Sequence, residues 1–316
     1  MTSAFDGICI GAALVDMVAQ VARHPVEDDE VFVSDLKLFS GGAAANTAYA
    51  CAKLKLKTAF IGKLGQDDTF GTKIINDFTE AAVNTELVKY SNDYKTGSAY
   101  VALNKEGDRR IYAHSGAANY LSKEDIREEE LTSSKILFLS SLKNLEPFII
   151  VAEIGKRKKI PIILNPGMLI IEQGFTNIRE LLEKVDILIM SQREFQVLFY
   201  LSEENFNPKI AQEKSKKLFS IEIKVLIITM GKSGALLITP NCSQIIPSYK
   251  PDKVVDTTGA GDAFSAGFIY GFCQNLSFKF DDLRYNAKIG NFVASKCIEK
   301  LGARKGIPDL ERVKTV

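Results

Sequence analysis

The chain has 316 residues, 46% of them hydrophobic, which is long enough to bury a large core in one α/β domain. Its 40 basic and 39 acidic residues leave a net charge of +1, so a general attraction to nucleic acid or to an anionic membrane is excluded. With two histidines in the whole chain, a histidine-based metal site and a Ser/His/Asp triad are not expected either.

The predicted elements begin with a short apolar strand at residues 7–11, which leads to a lone acid, Asp16, among apolar neighbours. In α/β sheets ligands bind beyond the carboxyl ends of the strands, and Asp16 follows such an end. Asp16 is therefore a candidate for binding substrate, although an acid at this point can also simply cap a turn. Residues 31–39 alternate partly between apolar and polar side chains, which predicts a half-exposed strand.

The next stretch, SGGAAANTA at residues 40–48, predicts two glycines that lead into a helix of very small residues. Small side chains let a helix lie close to a sheet and let a ligand reach the backbone. Asn46 carries an amide within this helix. It is a candidate for contact with a ligand, or it forms a local hydrogen bond near the helix start.

Residues 97–103 and 109–113 flank a polar turn at 104–108, which is a β-hairpin pattern. Together with residues 31–39, they predict a small sheet that is separate from the main one. Tyr100 and Tyr112 belong to this hairpin, where they either line a substrate or pack between the strands.

The second half of the chain alternates apolar strands with helices. The predicted strands cover residues 135–141, 160–165, 186–190 and 224–229, and predicted helices cover 146–158 and 178–184. Strands that are apolar on both faces and alternate with helices indicate a parallel sheet covered on both sides. The end of each strand is then a candidate ligand position.

Two polar runs follow strands of this sheet. The run SQRE at residues 191–194 contains Glu194, which can also be an ordinary acid in a first helical turn. The run TMGKSG at residues 229–234 contains Gly-Lys-Ser, which invites comparison with a P-loop. The P-loop pattern requires glycine at position 226, where Leu226 stands, so this interpretation is rejected.

The run DTTGAGDAF at residues 256–264 precedes a long apolar stretch. Small residues before a helix expose successive backbone N–H groups, and the helix adds about half a unit of positive charge there. This combination predicts a phosphate socket. Asp262 beside it is interpreted as a general base, because an acid that served only solubility would repel the ligand. The alternative is a simple glycine-rich helix start, where an acid is also favourable.

The runs at residues 40–48 and 256–264 resemble the N-terminal and C-terminal signatures of the ribokinase, or PfkB, family of carbohydrate and nucleoside kinases. The resemblance implies an α/β fold of the ribokinase-like type, a three-layer α/β/α domain with a mainly parallel central sheet and a small β-sheet lid. It implies a single kinase domain over residues 1–316, with the lid built from roughly residues 12–40 and 95–115. In this family the lid closes over the substrate and often contributes a dimer contact.

The resemblance also assigns roles to the matching positions. The catalytic residues are the general base Asp262 and the anion hole at Gly259, Ala260 and Gly261. The substrate-binding residues are Asp16, Gly42 and Asn46. The residues at the nucleotide are Glu194, Thr229, Gly231, Gly234 and Asn291. The metal positions are Glu194, which organises Mg²⁺ through water, and Asp256 and Thr258, which are candidates for a monovalent cation.

Two positions depart from the family pattern. Ribose kinases usually have Asn two residues before the substrate-binding Asp, where this chain has Leu14. Ser191 stands where the family's Asn-x-x-Glu motif has Asn, and its hydroxyl still donates and accepts a hydrogen bond. Leu14 argues mildly against strict ribose specificity, and Ser191 predicts a weakened or rearranged water network near Glu194.

The predicted function is that of an ATP-dependent phosphotransferase that phosphorylates a hydroxymethyl group of a sugar, with Mg²⁺ and, as a further candidate, K⁺. A nucleoside kinase of the same family is the alternative, because residues 41–47 and 116–119 resemble archaeal nucleoside kinases. A sugar or nucleotide sensor without catalysis is a third hypothesis, although a sensor has no need of Asp262.

The expected partners are a small-molecule sugar or nucleoside and a second copy of the chain, with neither nucleic acid nor membrane. No apolar run of the length needed to span a membrane occurs. Five cysteines without a Cys-x-x-Cys pair fit a reducing compartment. We therefore expect a cytoplasmic homodimer.

Overall fold

The computed structural model describes residues 4–106 and 108–316. Residues 1–3 of the predicted domain and Gly107 of the predicted turn lie outside the described residues. The strands are β1 (Phe5–Gly11), β2 (Leu14–Val21), β3 (Val33–Gly41), β4 (Thr58–Ile61), β5 (Lys63–Gly65), β6 (Lys89–Ser91), β7 (Thr96–Leu103), β8 (Arg109–Gly116), β9 (Ser134–Ser140), β10 (Ile162–Asn165), β11 (Ile187–Ser191), β12 (Val225–Thr229), β13 (Ala235–Ile238) and β14 (Ser243–Ile246). The helices are α1 (Ala43–Lys53), α2 (Thr69–Ala81), α3 (Glu128–Leu131), α4 (Glu146–Lys158), α5 (Gly167–Ile171), α6 (Gly174–Leu182), α7 (Gln192–Leu198), α8 (Pro208–Phe219), α9 (Ala260–Phe272), α10 (Phe280–Cys297) and α11 (Leu310–Val313).

A sheet with the strand order β14-β13-β12-β11-β10-β9-β1-β4 forms the centre of the molecule. Within this sheet β4, β1, β9, β10, β11 and β12 are parallel, and β13 and β14 extend one edge in antiparallel pairs. Neighbouring side chains such as Leu137 and Phe138 are both fully buried, in the cores on opposite faces of the sheet. Helices α1, α9 and α10 cover one face, and α4, α6 and α8 cover the other. The predicted three-layer α/β/α fold class with a mainly parallel sheet is confirmed.

A separate sheet with the order β3-β2-β7-β8 forms what we call the lid. Strands β7 and β8 pair antiparallel with Tyr100 opposite Tyr112, so the predicted hairpin is confirmed. Asp16 in β2 lies opposite Ala99 in β7, and side chains alternate along a strand, so both tyrosines project from the face that Asp16 does not occupy. These tyrosines therefore belong to the face of the lid away from the Asp16 carboxylate, and they do not line its cavity.

The lid joins the central sheet through short connections. Two residues separate β1 from β2, and Gly42 alone separates β3 from α1. The number of domains and the limits of the lid stay predictions. Across the described residues, every helix is too short or too polar to cross a lipid bilayer.

Candidate active site

The first turns of α9 lie against the carboxyl ends of the parallel strands. Asn165, the last residue of β10, donates a hydrogen bond from Nδ2 to the Ser265 hydroxyl at 3.2 Å. Thr229, the last residue of β12, lines the same cavity as Gly261. Because parallel sheets bind ligands at this edge, the start of α9 is placed where a site is expected.

Two glycines give the start of α9 its shape. Gly259 has a φ of 77°, and a Cβ there would lie 2.3 Å from the Cβ of Ala303, so a residue with a side chain does not fit this turn. An added Cβ on Gly261 would meet none of the described atoms within 4 Å, which leaves open space beside the first turn. The N–H groups of a first turn have no intrahelical acceptor, and the positive helix end favours an anion. In this structure the Ala260 N–H donates to the Thr257 carbonyl at 3.3 Å, so an anion bound by this group of the predicted anion hole would compete with that contact. The open space lies beside Gly261.

The carboxylate of Asp262, in the first turn of α9, accepts a hydrogen bond of 2.9 Å from the side-chain amide of Asn46. Burial raises the pKa of Asp262 from its ordinary value of 3.8 to about 6, and the Asn46 hydrogen bond and the Arg304 charge oppose the rise. The negative charges of Glu194 and Asp16 add to the rise. A carboxyl group that titrates this close to neutral pH is suited to general base catalysis.

Asp16 lines a cavity of about 450 Å³ under the lid, together with Phe39 and Gly302. Burial raises the pKa of Asp16 to about 6, Arg304 lowers it, and Asp256 raises it. The cavity thus combines apolar walls with a carboxylate, which accepts hydrogen bonds from hydroxyl groups when it is ionised.

A second cavity, of about 590 Å³, also borders the start of α9. Its lining includes Thr229, Gly231, Gly234, Asn291, Ala260 and Gly261. Thr257 lines both cavities, so they meet at the turn before α9. Both volumes lie in the range of small-molecule sites.

Asn291 shapes the wall of this second cavity. Its Nδ2 atom donates to the carbonyl oxygens of Ile246 and Pro247 at 2.9 and 3.0 Å. The amide N–H groups of Asn291 therefore bind the backbone at the end of β14 and just after it. A contact between Asn291 and a nucleotide base would have to use its Oδ1 atom.

Glu194 and Ser191 cap the start of α7 reciprocally. The Ser191 N–H donates to the Glu194 carboxylate at 2.8 Å, and the Glu194 N–H donates to the Ser191 hydroxyl at 3.2 Å. Burial raises the pKa of Glu194, and hydrogen bonding of its carboxylate with the backbone and the side chain of Ser191 lowers it. Ser191, which stands where the family pattern has Asn, thus still orients the Glu194 side chain. Glu194 also caps the helix, which is the alternative role considered from the sequence.

Asp256 connects the turn before α9 with the loop after α10. One carboxylate oxygen accepts from the Thr258 N–H and hydroxyl at 2.9 and 2.7 Å. The other accepts from the Gly302 N–H at 2.9 Å. Asp256 and Thr258, the predicted cation positions, are therefore held next to each other by the loop structure.

Gly42 and Arg304 complete the site from two sides. The Gly42 carbonyl accepts from the Asn46 N–H at 2.8 Å, so the glycine predicted to bind substrate also begins the helix that carries Asn46. Arg304 was not among the sequence-based candidates, yet its Nε donates to the Asn46 Oδ1 at 2.9 Å. It stands in the run LGARKG, where the glycines indicate a loop and no periodicity marks the arginine as buried.

Comparison with known proteins identifies the family. The chain matches the family model described as pfkB family carbohydrate kinase over residues 6–310. The chain belongs to the pfkB family. The protein named ribokinase from Staphylococcus aureus is 32% identical to this pfkB kinase over 98% of each chain. The Arabidopsis thaliana protein named probable fructokinase-6, chloroplastic, is 29% identical over 97% of this chain and 80% of its own.

The solved structure of Arabidopsis thaliana ribokinase complexed with ribose and ATP has a TM-score of 0.85 to this pfkB kinase, with 27% identity and 98% of both chains covered. The predicted family and the predicted carbohydrate kinase class are confirmed. The structure brings Asn46 within hydrogen-bond distance of Asp262, and Asp16 is close enough to raise the pKa of Asp262. Of the predicted nucleotide residues, Thr229, Gly231, Gly234 and Asn291 line the second cavity, whereas Glu194 is not part of its lining and acts on Asp262 through its charge. The roles of the individual residues stay predictions.

Proposed function

We propose that this pfkB kinase transfers the γ-phosphoryl group of ATP to a hydroxymethyl group of a sugar. The observation that carries the proposal is the meeting of two cavities at the start of α9. Asp16 lines one cavity, and Thr229, Gly231, Gly234 and Asn291, four of the five predicted nucleotide residues, line the other. A sugar in the first and a nucleotide in the second would bring acceptor and donor to one helix terminus, where negative charge is stabilised.

In the proposed reaction, Asp262 accepts the proton of the sugar hydroxyl while that oxygen bonds to the γ-phosphorus of ATP. The bond from the γ-phosphorus to its bridging oxygen breaks, and ADP leaves with the electron pair. Asp16 and Asn46 hold the sugar, and the N–H groups of Gly259, Ala260 and Gly261 bind the transferring group. The hydrogen bond of 2.9 Å from Asn46 holds the base in place.

The residues near α9 fit Mg²⁺ as an ion that arrives with the nucleotide. Among the described residues, no three His, Cys, Asp or Glu side chains form a metal-binding group. Mg²⁺ usually keeps several waters and binds one or two carboxylates with substrate phosphates, so Glu194 is enough as a protein contribution. When bound, Mg²⁺ neutralises charge on the phosphates. Asp256 and Thr258 are the residues that would hold K⁺.

A cytoplasmic location is part of the proposal. All five cysteines are free thiols, and four of them are buried. Burial raises the pKa of Cys297 to about 12 and also raises the pKa of Cys273, so both thiols stay protonated and unreactive at neutral pH. Free thiols of this kind suit a reducing compartment.

A panel of acceptors tests the function. ADP release would be measured with ribose, fructose, 2-keto-3-deoxygluconate, adenosine, cytidine and inosine. We expect turnover with at least one sugar, because the relatives above are named as ribokinase and fructokinase. Turnover with nucleosides alone would favour the second candidate, which rests on residues 41–47 and 116–119. Binding of a sugar or nucleotide without turnover would indicate a sensor.

The activity should depend on pH through the base. We expect kcat/KM to rise with pH through an inflection near pH 6, because Asp262 must be ionised and its pKa is about 6. Asp16 titrates in the same range, so the acid limb should be steeper than for one proton. A pH–rate profile with the best acceptor of the panel checks this expectation. A limb centred at the ordinary aspartate value of 3.8 would contradict the raised pKa of the base.

The lid is also the proposed dimer contact. Leu36, Leu38 and Tyr112 are 54%, 43% and 68% exposed, and strand alternation places them on the face away from Asp16. We expect a dimer in solution that burial of these side chains stabilises, and Leu36→Glu with Tyr112→Glu should dissociate it. Light scattering after size-exclusion chromatography checks the mass. Tyr200→Glu, at an 88% exposed position outside the lid, is the control, and a monomeric unmodified protein would refute the dimer.

A further inference from the structure

Arg304 is a buried cation for which the reaction proposed above has no role. It lies between α10 and α11 with 9% of its surface exposed. The rings of Tyr49 and Phe78 lie 5.1 and 5.5 Å from its guanidinium carbon. Within the described part of the chain, neither Nη atom has a hydrogen-bond acceptor, and the Asp77 carboxylate is 3.8 Å from Nη1. A buried guanidinium with unfilled donors lowers stability, so core packing alone does not explain it.

The Nε atom of Arg304 determines how the Asn46 amide is oriented. It donates to the Oδ1 of Asn46 at 2.9 Å, and the Nδ2 of Asn46 donates to Asp262 at 2.9 Å. Rotation of the amide by half a turn would place its oxygen against the carboxylate and its N–H groups against the guanidinium. Both contacts would be repulsive, so the amide has one favourable orientation while Arg304 is in place.

The other end of Arg304 reaches the edge of the lid. Asp77 in α2 faces the guanidinium and also accepts from the Ser40 hydroxyl at 2.6 Å. Ser40 belongs to β3 and lies just before the junction of the lid with α1. Lys73 is 3.2 Å from the same Asp77 carboxylate. Arg304 therefore stands between the base of the lid and the proposed catalytic base.

We propose that Arg304 is a positioning residue for phosphoryl transfer, acting through Asn46 to hold the Asp262 carboxylate toward the acceptor hydroxyl and to favour its ionised form. This inference rests on the proposed function of the site. It deepens that function by naming the group that keeps the base oriented. Arg304 itself touches neither substrate in this mechanism.

The charges around Asp262 support this role. The titratable groups that interact with it are Arg304, Glu194, Asp16 and Cys297. Glu194 and Asp16 oppose ionisation of Asp262, and the Cys297 thiol is protonated because its pKa is about 12. Arg304 supplies the positive charge in this group, and it keeps that charge because its pKa, although lowered by burial, is about 10. Loss of the Arg304 charge must therefore move the Asp262 titration to higher pH.

Arg304→Met tests the inference with two readouts. We expect kcat to fall about 10- to 100-fold and the acid limb of the pH–rate profile to move upward by about half a pH unit or more, because the base is misplaced and loses a favourable charge. The ¹⁵N-labelled side-chain amide of Asn46 should show the same upward movement in an NMR titration without substrate. Lys300→Met, which removes an exposed cation from the segment after α10, is the control and should leave both readouts unchanged.

A second substitution keeps the test valid if Arg304→Met does not fold. Arg304→Lys keeps the charge but lacks the planar Nε–H donor, so we expect a near-normal titration midpoint with kcat lowered about 10-fold. Unchanged kcat in a folded Arg304→Met or Arg304→Lys protein would overturn the inference, as would an unmoved Asn46 titration in Arg304→Met. Failure of the proposed function is a different result, since the unmodified protein would then release no ADP with any acceptor of the panel.

Discussion

Replacing Asp262 with Asn should lower kcat about 10³-fold and leave ATP binding nearly unchanged, because the substitution removes a proton acceptor and keeps the shape of the first turn of α9. ATP affinity by calorimetry and kcat with the best acceptor would be measured together. Asp281→Asn, which replaces an exposed acid in the first turn of α10, is the control and should keep full turnover. Near-normal turnover in Asp262→Asn would remove the base from the mechanism.

The same substitution should make the protein more stable. Burial raises the pKa of Asp262 from 3.8 to about 6, so the folded state prefers the protonated acid. Its contribution to stability is therefore present below pH 3.8 and is lost as pH rises to about 6, where the folded protein must hold a buried charge. We expect the Tm of Asp262→Asn to exceed that of the unmodified protein by about 2–4 °C at pH 7.5. A lower Tm would show that the Asn46 contact outweighs this cost.

A methyl group on Gly261 should abolish most activity without harming the fold. An added Cβ there meets no described atom within 4 Å, and alanine is favoured over glycine in a helix by up to about 1 kcal/mol. The methyl group would, however, occupy the space proposed for the phosphoryl group, and displacement of the reacting atoms by an ångström costs about 100-fold in rate. We expect Gly261→Ala to retain or gain stability and to lose about 100-fold in kcat.

Gly259→Ala is the informative comparison for that prediction. Its Cβ would lie 2.3 Å from the Ala303 Cβ at a backbone φ of 77°. We therefore expect Gly259→Ala to lower the stability of the fold, whatever its effect on kcat. Thermal unfolding of both variants, together with kcat, separates the two effects. A Gly261→Ala protein with normal stability and normal kcat would contradict the anion hole at this turn.

The fold was predictable because its signals are local and repeated. Strands of the second half, such as β11 and β12, are continuous apolar runs, and the helices between them are periodic, so a parallel sheet follows from the pattern. The turn at Gly259 and Gly261 was predictable for a similar reason, since glycine and small residues before an apolar helix indicate an anion site. The strand β3 was expected at residues 31–39 and is observed at Val33–Gly41, because its ends depend on pairing with β2.

The contacts across the site were not predictable from the sequence. Asn46 and Asp262 are 216 positions apart, and Arg304 lies 258 positions from Asn46, so no local pattern joins them. Burial of an arginine depends on the rings of Tyr49 and Phe78, which belong to two different helices. The hydrogen bonds from the Asn291 amide to the carbonyl oxygens of Ile246 and Pro247 were not predictable for the same reason, because only the folded chain brings these residues together.

The division of the proposed site between the lid and the central sheet has a consequence for the hydrolysis of ATP without an acceptor. Asp16 belongs to β2 of the lid, whereas Asp262 belongs to α9 on the central sheet. In the proposed mechanism a sugar contacts both the lid and the start of α9, whereas a water molecule need not, so we expect a sugar to favour closure of the lid more than water does. We therefore expect this kinase to hydrolyse ATP only slowly when no sugar is present.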